Sequence, residues 1–515
     1  MTKDYDAIIV GGGHNGLVAS HYLAQAGMRV LVLERRDFVG GAVVTEELWP
    51  GFSVPTCSYV CYVLQPRIID DMRLREFGFD LHPMDPFSFV PYRDGSRIIG
   101  WDDDDKFIRE ITRISEHDAA AWPEFNRIID RMTSLVHRFV LQPAPSVAEI
   151  VESARESGDL DLVGRLLFGS LSDLLHEHFE SPQVKGFYAM AWDAGDPDEP
   201  GSLLSSIFPK ITRFSRDEDV GIVVGGMGGI TQAMARSVQA DGVEIRTGAE
   251  VDQILVDNGR AQGVRLLDGT VLRSDIVLSN ADPKRTFLRL LPDGAVSQSF
   301  RRRIQGLKTR AAYMKFHAAL DDLPDFSRYF DGDFDPRALA YINIRESLDY
   351  ARKAWADVSA GKITDSPLLS IQIPSVYDRT LVPNGGHVMS IWVQYAPVDP
   401  GAGSWEELRE SAGEGLIDVM EQYAPNIRDV IRHWTLFTPR DIEARVGLTD
   451  GNIRHIDMIA GQLFDQRPLP GWADYSTPVD GLYLCGAGTH GGGEVTGAPG
   501  HNAAQAVLNR VGVSA

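Results

Sequence analysis

Three glycines, a glutamate and a second glycine pair carry the first recognisable chemistry in this chain of 515 residues. Gly11-x-Gly13-x-x-Gly16 follows the apolar run Ala7–Val10, which reads as a buried strand. The spacing suits a pyrophosphate. The first glycine permits a tight turn, the second lets backbone approach the phosphates, and the third lets a helix pack closely on a strand. That helix is expected to begin at His14 to Leu17, with His14 and Asn15 in its first turn, and to run to Gly27. Its free N–H groups and positive dipole end then face the anion. A second strand, Arg29–Leu33, delivers Glu34 to a ribose 2′-hydroxyl, with Arg35 beside it. The charge of Glu34 repels a 2′-phosphate, so NADP is disfavoured here. Gly40-Gly41 then suggests another close passage of backbone over a nucleotide, a pairing common in flavoproteins; a plain Gly-Gly hairpin turn is the alternative.

The second such stretch lies near the C-terminus. Asp480–Cys485 reads as a strand ending at Gly486, followed by Ala487, Gly488, His490 and Glu494. Gly497 to Asn502 opens a last helix over Ala503–Leu508, and Pro499 suits its first turn. A glycine-dense loop before a helix N-terminus lets backbone approach a flat ligand and offers a positive end to developing negative charge. In a flavoprotein the target is the N1/O2 edge of the reduced ring. His490 and Glu494 are the titratable groups of this loop, with His501 at the helix start. Burial in so apolar a loop raises the pKa of Glu494 toward that of a useful base. His490 is the second candidate catalytic group, although it and His501 could equally just hydrogen-bond loop backbone.

The elements that must position these residues follow from composition and pattern. The formal charge of −22 argues against nucleic acid and anionic lipid surfaces. No apolar run reaches the ~18 residues of a membrane span. A strand starting by Tyr5 leaves no room for a targeting segment, so a cytoplasmic location is expected. Cys57, Cys61 and Cys485 form no CxxC pair and read as small buried residues. Asp102–Asp105 reads as a solvated turn or helix cap rather than a metal site, and no metal is expected. Pro123 is expected to open a helix with Phe125, Ile128, Ile129 and Met132 on one face. A further stripe runs from Leu162 to Leu175. This region, 103–180, is expected to form core, with a roof over an apolar ligand or a peripheral membrane contact as alternatives.

Val223–Gly229 precedes a helix over Ile230–Gln239 but lacks the spacing of a second fingerprint. Strands are expected at Val243–Ile245, Ala249–Val256, Gly263–Leu267 and Ile276–Ser279, with turns at Asn258-Gly259 and Asp268-Gly269. Runs at Ala311–Leu320, Leu339–Ile344, Leu368–Ile373 and His387–Tyr395 predict a second sheet lining a substrate pocket, with a helix over Trp405–Tyr423.

Gly11–Gly16, Glu34-Arg35-Arg36, Gly40-Gly41, Gly225–Gly229, Val277–Pro283 and Leu484–Asn502 together resemble the phytoene desaturase-like branch of FAD-dependent oxidoreductases. Within it the chain is most similar to the subgroup of pyridine nucleotide-disulphide oxidoreductase domain-containing protein 2. The resemblance implies an α/β fold: a glutathione-reductase-type (Rossmann-like) FAD domain with an inserted α+β substrate domain. It assigns 1–75, 216–292 and 441–515 to FAD, and 76–215 and 293–440 to the substrate or cap domain. It places Gly11, Gly13 and Gly16 at the pyrophosphate, Glu34 at the adenosine ribose, and Val251 at the adenine through its backbone. Gly40 and Gly41 then lie near the ribityl chain, with Gly486, Ala487, Gly488 and Gly497 along the flavin edge. Typical members carry Arg after the double glycine, where this chain has Ala42, and no CxxC or CxxxxC pair supports disulphide chemistry.

The expected activity is transfer of a hydride from a largely apolar small molecule to flavin N5, as a dehydrogenase or desaturase. Amine oxidation and flavin-assisted isomerisation fit the same site, and a flavin-binding regulatory protein without turnover is the rival of another class. With one dinucleotide fingerprint occupied by FAD, oxygen or a quinone is the expected acceptor. NADH and NADPH are accordingly predicted to be poor reductants; rapid, saturable stopped-flow reduction of the flavin by either would overturn this.

Overall fold

The computed structural model describes residues 3–213 and 217–512. Ala7–Val10 carries only apolar, buried side chains, as a strand covered on both faces requires. It lies at the centre of a parallel sheet ordered Leu482–Leu484, Val277–Ser279, Ala7–Val10, Val30–Leu33 and Glu244–Arg246. Ile9 pairs with Val32 on one side and Leu278 on the other, so Gly11 and Asn280 emerge at the same carboxyl edge. Such an edge, where the chain crosses from one half of a sheet to the other, is where α/β proteins bind ligands.

The helix His14–Gln25 starts directly after Gly13, and no side chain caps it. A Cβ on Gly16 would stand 2.3 Å from the Gly11 carbonyl oxygen, so only glycine allows this approach of helix to strand. The last helix, Ala498–Val511, begins earlier than its apolar pattern suggested, with Pro499 in its first turn. Its Gly500 lies against the Asn15 carbonyl, where a Cβ would come within 2.1 Å.

A second, seven-stranded sheet runs Ile431–Phe437, Ala312–Leu320, His387–Ala396, Leu368–Gln372, Tyr341–Ile344, Ser88–Pro91 and Arg97–Gly100. Met314, Phe316, Leu369, Ile371, Ile391 and Val393 form its apolar face, packed on Leu416, Ile417 and Met420 of the helix Trp405–Glu421. The opposite face packs Leu368, Trp392 and Tyr395 into the helical core and borders the glycine loops through Tyr313, Lys315 and Trp392. The turn at Asn258-Gly259 forms as expected, both residues taking positive φ between Val251–Asp257 and Arg260–Leu266.

A helical layer covers the second sheet, and here the sequence expectation needs correcting. The helix expected to open at Pro123 spans Glu116–His137, because the Ser115 hydroxyl accepts from the Asp118 N–H and caps it there. The stripe from Leu162 to Leu175 is two helices, Leu160–Phe168 and Leu171–His178, the second capped by Ser170. Their leucines share one core with Trp122 and Phe125. Asp103 caps Asp104–Thr112 by accepting from the Lys106 N–H. Among the described residues, no helix is long and apolar enough to cross a membrane.

These contacts separate two glycines sharply. Gly16→Ala is expected to destabilise the protein by about 1–3 kcal/mol through overpacking. Gly415→Ala, in the helix Trp405–Glu421 with nothing within 4 Å of its Cβ position, is expected to stabilise by about 0.5–1 kcal/mol. Denaturant midpoints of the two variants check both signs.

Candidate active site

One cavity of about 1540 Å³, its mouth included, is lined both by the glycine loops of the parallel sheet and by the inner face of the second sheet. Gly11, Gly13, His14, Asn15, Glu34, Arg35, Gly41 and Val251 line one end. Glu34 is 6% exposed, and its own neighbourhood orients it: Oε2 accepts from the Gly12 N–H at 2.9 Å and Oε1 from the Arg36 N–H at 2.9 Å. Gly40 donates its N–H to the Gly12 carbonyl at 2.9 Å, and a Cβ on Gly41 would lie 3.3 Å from the Gly13 Cα. The double glycine is therefore a close pass over the fingerprint loop rather than a hairpin turn.

The other end is lined by Tyr59, Tyr62, Tyr313, Lys315, Trp392, Ala487 and Glu494. Glu494 sits at φ 58°, a left-handed conformation that side chains other than glycine rarely adopt. Its Oε1 accepts from Arg454 at 3.2 Å, and the Tyr62 hydroxyl lies beside the carboxylate. Arg454 also donates to Asp193 at 2.9 Å and to the Tyr313 hydroxyl at 3.0 Å, while Tyr313 donates to Asp193 at 2.5 Å. Burial pushes the Glu494 carboxyl above the ordinary carboxylate range, against the pull of Arg454. Lys315 has no hydrogen-bond partner, lies 5.5 Å from the Tyr59 ring centroid, and is dropped by burial to about 7.

Arg467 holds the loop behind this end. It is 1% exposed and donates to the carbonyls of Ala487, Thr489, Arg454, Ile456, Asp457 and Gln462. His455 packs its ring where a Cβ on Gly486 would stand. Its Nδ1 and the Nε2 of His14 are buried without partners, and burial holds the two imidazoles down to about 3 and about 4.

Not every expected site residue reaches the cavity. His490 is turned away, its Nε2 donating to the Phe139 carbonyl at 2.8 Å, so its expected catalytic part gives way to a structural one. His501 pairs with the Asn502 side chain at 2.8 Å. Gly16, Gly40, Gly486, Gly488 and Gly497 stand behind the wall, where a Cβ would meet a neighbour within 2.3–2.7 Å in each case. They let the loops close up on that side. Cys57 and Cys61 are free thiols raised by burial to about 11 and about 12. His117, Asp118 and Glu180 approach one another at the surface, but Asp118 already accepts from the Glu180 and Ser181 N–H groups and the Ser181 hydroxyl. Sequence reading missed Lys315, Arg454, Arg467 and Asn280. Lys315 had a signal, a lone cation inside an apolar strand, and Asn280 falls within the quoted Val277–Pro283 stretch; Arg454 and Arg467 had none.

The donor set fits FAD: a helix start without a side-chain cap for the pyrophosphate, a fixed carboxylate for the ribose, and a glycine cradle that a Cβ would fill. Residues 16–321 match the family described as flavin containing amine oxidoreductase. This chain belongs to that family. Pyridine nucleotide-disulfide oxidoreductase domain-containing protein 2 of Rattus norvegicus is 34% identical over 549 residues, covering 99% of this chain and 94% of the relative. The neurosporene-forming phytoene desaturase of Cereibacter sphaeroides is 27% identical, covering 95% and 92%. A solved oxidoreductase from Methanosarcina mazei shares the fold at a TM-score of 0.65 and 17% identity, over 98% of this chain and 99% of that one. The protein is thus an FAD-dependent oxidoreductase of phytoene desaturase-like type.

In this flavoprotein Glu34→Ala is expected to weaken FAD binding by roughly the 1–3 kcal/mol of a lost charged hydrogen bond, measured by titration of the apoprotein. Arg467→Met strips six carbonyls of a buried donor. It is expected to destabilise by about 3–5 kcal/mol, read from the denaturant midpoint.

Proposed function

We propose that this enzyme oxidises a small molecule by moving a hydride from a substrate carbon to the flavin while Glu494 takes the accompanying proton. When bound, FAD supplies the hydride acceptor at its N5. The chain supplies the rest. Tyr59, Tyr62 and Trp392 give an apolar, water-poor wall against which a substrate skeleton stacks. Glu494 is the proton acceptor, and Arg454 and Tyr62 fix its direction. Oxygen or a quinone takes the electrons onward. Segments 1–75, 216–292 and 441–515 hold the cofactor, and 76–215 with 293–440 hold the substrate.

One observation carries the assignment of Glu494. A loop of Gly491, Gly492 and Gly493 gives way to a charged residue at φ 58°, buried and held by Arg454, on the cavity wall. Backbone strain of about 1–3 kcal/mol persists only where the surroundings impose it, and such strain gathers at working sites.

The test is anaerobic bleaching of the flavin against amine, terpene and polyene compounds. Glu494→Gln is expected to retain FAD and fold but to bleach about 10²–10⁴-fold more slowly. In the parent the rate should rise with pH through the raised carboxyl pKa, since only the ionised form accepts a proton; the Gln variant should lack that rise. Equal rates in parent and variant would remove Glu494 from the reaction. Failure of every compound to bleach the parent would favour a binding protein without turnover.

A further inference from the structure

Nη2 of Arg454 is the end that reaches Glu494, at 3.2 Å. Nη1 is taken by a turn of the helical layer that carries none of the proposed chemistry. This single turn, Trp192–Ala194, is pinned to the helix Ser202–Thr212. The Trp192 indole N–H donates to the Ser206 carbonyl at 3.1 Å, and the Ala194 N–H to the Ser205 hydroxyl at 3.3 Å. Asp193 is 0% exposed. Its Oδ1 accepts from Arg454 at 2.9 Å and from the Tyr313 hydroxyl at 2.5 Å, and its Oδ2 from the Met458 N–H at 2.7 Å.

Trp192 grips the same cation. The Arg454 guanidinium carbon lies 5.1 Å from the indole centroid, and that indole stacks on Trp392 of the cavity wall with centroids 5.4 Å apart. Such a contact orients a guanidinium as well as holding it. Trp192 stands at φ 46°, a left-handed conformation that a bulky side chain rarely adopts. Two consecutive residues of one strained turn therefore meet one guanidinium, the carboxylate at its Nη1 edge and the indole over its face.

We infer that Asp193 is a positioning residue for the proton acceptor proposed above: by holding Nη1 of Arg454 it fixes how the guanidinium meets Glu494 and how firmly that carboxyl keeps a proton. The inference rests on that reading of Glu494 and adds what governs it. Asp193 is not among the residues lining the cavity, so it acts through Arg454. Two carboxylates compete for one cation. Removing the Asp193 charge would turn the whole attraction of Arg454 on Glu494 and take a like charge out of the interior, and both changes favour the ionised carboxylate. Arg454 and the Tyr62 hydroxyl draw the Glu494 carboxyl down, whereas burial and the Asp193 charge push it up. The Tyr59 hydroxyl and His14, whose imidazole bonds the Glu494 backbone, also face it, and burial keeps both neutral. Asp457 and Arg467 lie behind Asp193.

The test uses the FAD-loaded full chain and the infrared stretch of protonated carboxyl groups followed against pH. The band lost in Glu494→Gln belongs to Glu494, and no substrate is needed to read it. Asp193→Asn keeps the side chain's size and an acceptor oxygen while removing its charge. The Glu494 transition in that variant is expected to fall by roughly one pH unit or more, with FAD content unchanged. With any compound that bleaches the parent flavin, the pH limb of the rate should move by the same amount. Tyr313→Phe probes the clamp with the opposite sign: without that hydroxyl Asp193 bears wholly on Arg454, and the Glu494 transition is expected to rise by about half a unit. This sign decides the matter alone if Asp193→Asn does not fold. An unmoved or raised transition in Asp193→Asn, an unmoved or lowered one in Tyr313→Phe, or a parent without a Glu494 band would overturn the inference. Transitions that shift as expected while Glu494→Gln bleaches at the parent rate would instead defeat the reading of Glu494 as proton acceptor and leave the clamp standing.

Discussion

Burying a guanidinium is costly unless its charge and its donors are met, and Arg454 meets both demands in a way that assembles the site. It is 2% exposed and is held between Asp193, the Tyr313 hydroxyl and Glu494. Those partners come from the helical layer, the second sheet and the C-terminal glycine loop. A single cation thus fastens together three parts of the chain far apart in sequence. Burial raises the Glu494 carboxyl while Arg454 pulls it down, so the same cation that fixes the carboxylate also moderates its shift.

Burial shifts several titratable groups at the cavity in the direction a low dielectric dictates. Burial keeps His14 and His455 neutral, drops Lys315 to about 7 and raises Glu494. It also raises the Cys57 and Cys61 thiols, which removes them from thiolate chemistry at neutral pH. Lys315 and Glu494 are thereby both moved toward neutrality.

Glycine does two separate jobs in this architecture. Gly11, Gly13 and Gly41 form a wall over which a flat dinucleotide can lie closely, whereas Gly16, Gly40, Gly486, Gly488 and Gly497 permit backbone segments to touch behind that wall. The first group makes the surface and the second makes it thin. Both have the same appearance in a sequence, so a fingerprint identifies the ligand class without saying which glycines line the cavity.

What the sequence by itself determined was local. The order of strand, glycines, helix, strand and Glu34 specified a dinucleotide site, because each requirement falls within a few dozen consecutive residues. The strand runs from Ala311 to Tyr395 likewise announced the second sheet, because period-two alternation is a short-range signal. Tertiary structure decided the rest. It showed that His490 points at Phe139 and away from the cavity, since a loop's side-chain directions depend on what packs behind it. It moved the helix start from Pro123 to Ser115, where a capping hydroxyl outweighs the proline signal. It also brought Arg454, Asp193 and Glu494 into contact across 261 and 40 residues of separation, and nothing in the sequence near any of them encodes that meeting. Charge pairing in the interior is a property of the folded chain, because only burial makes an unpaired charge intolerable.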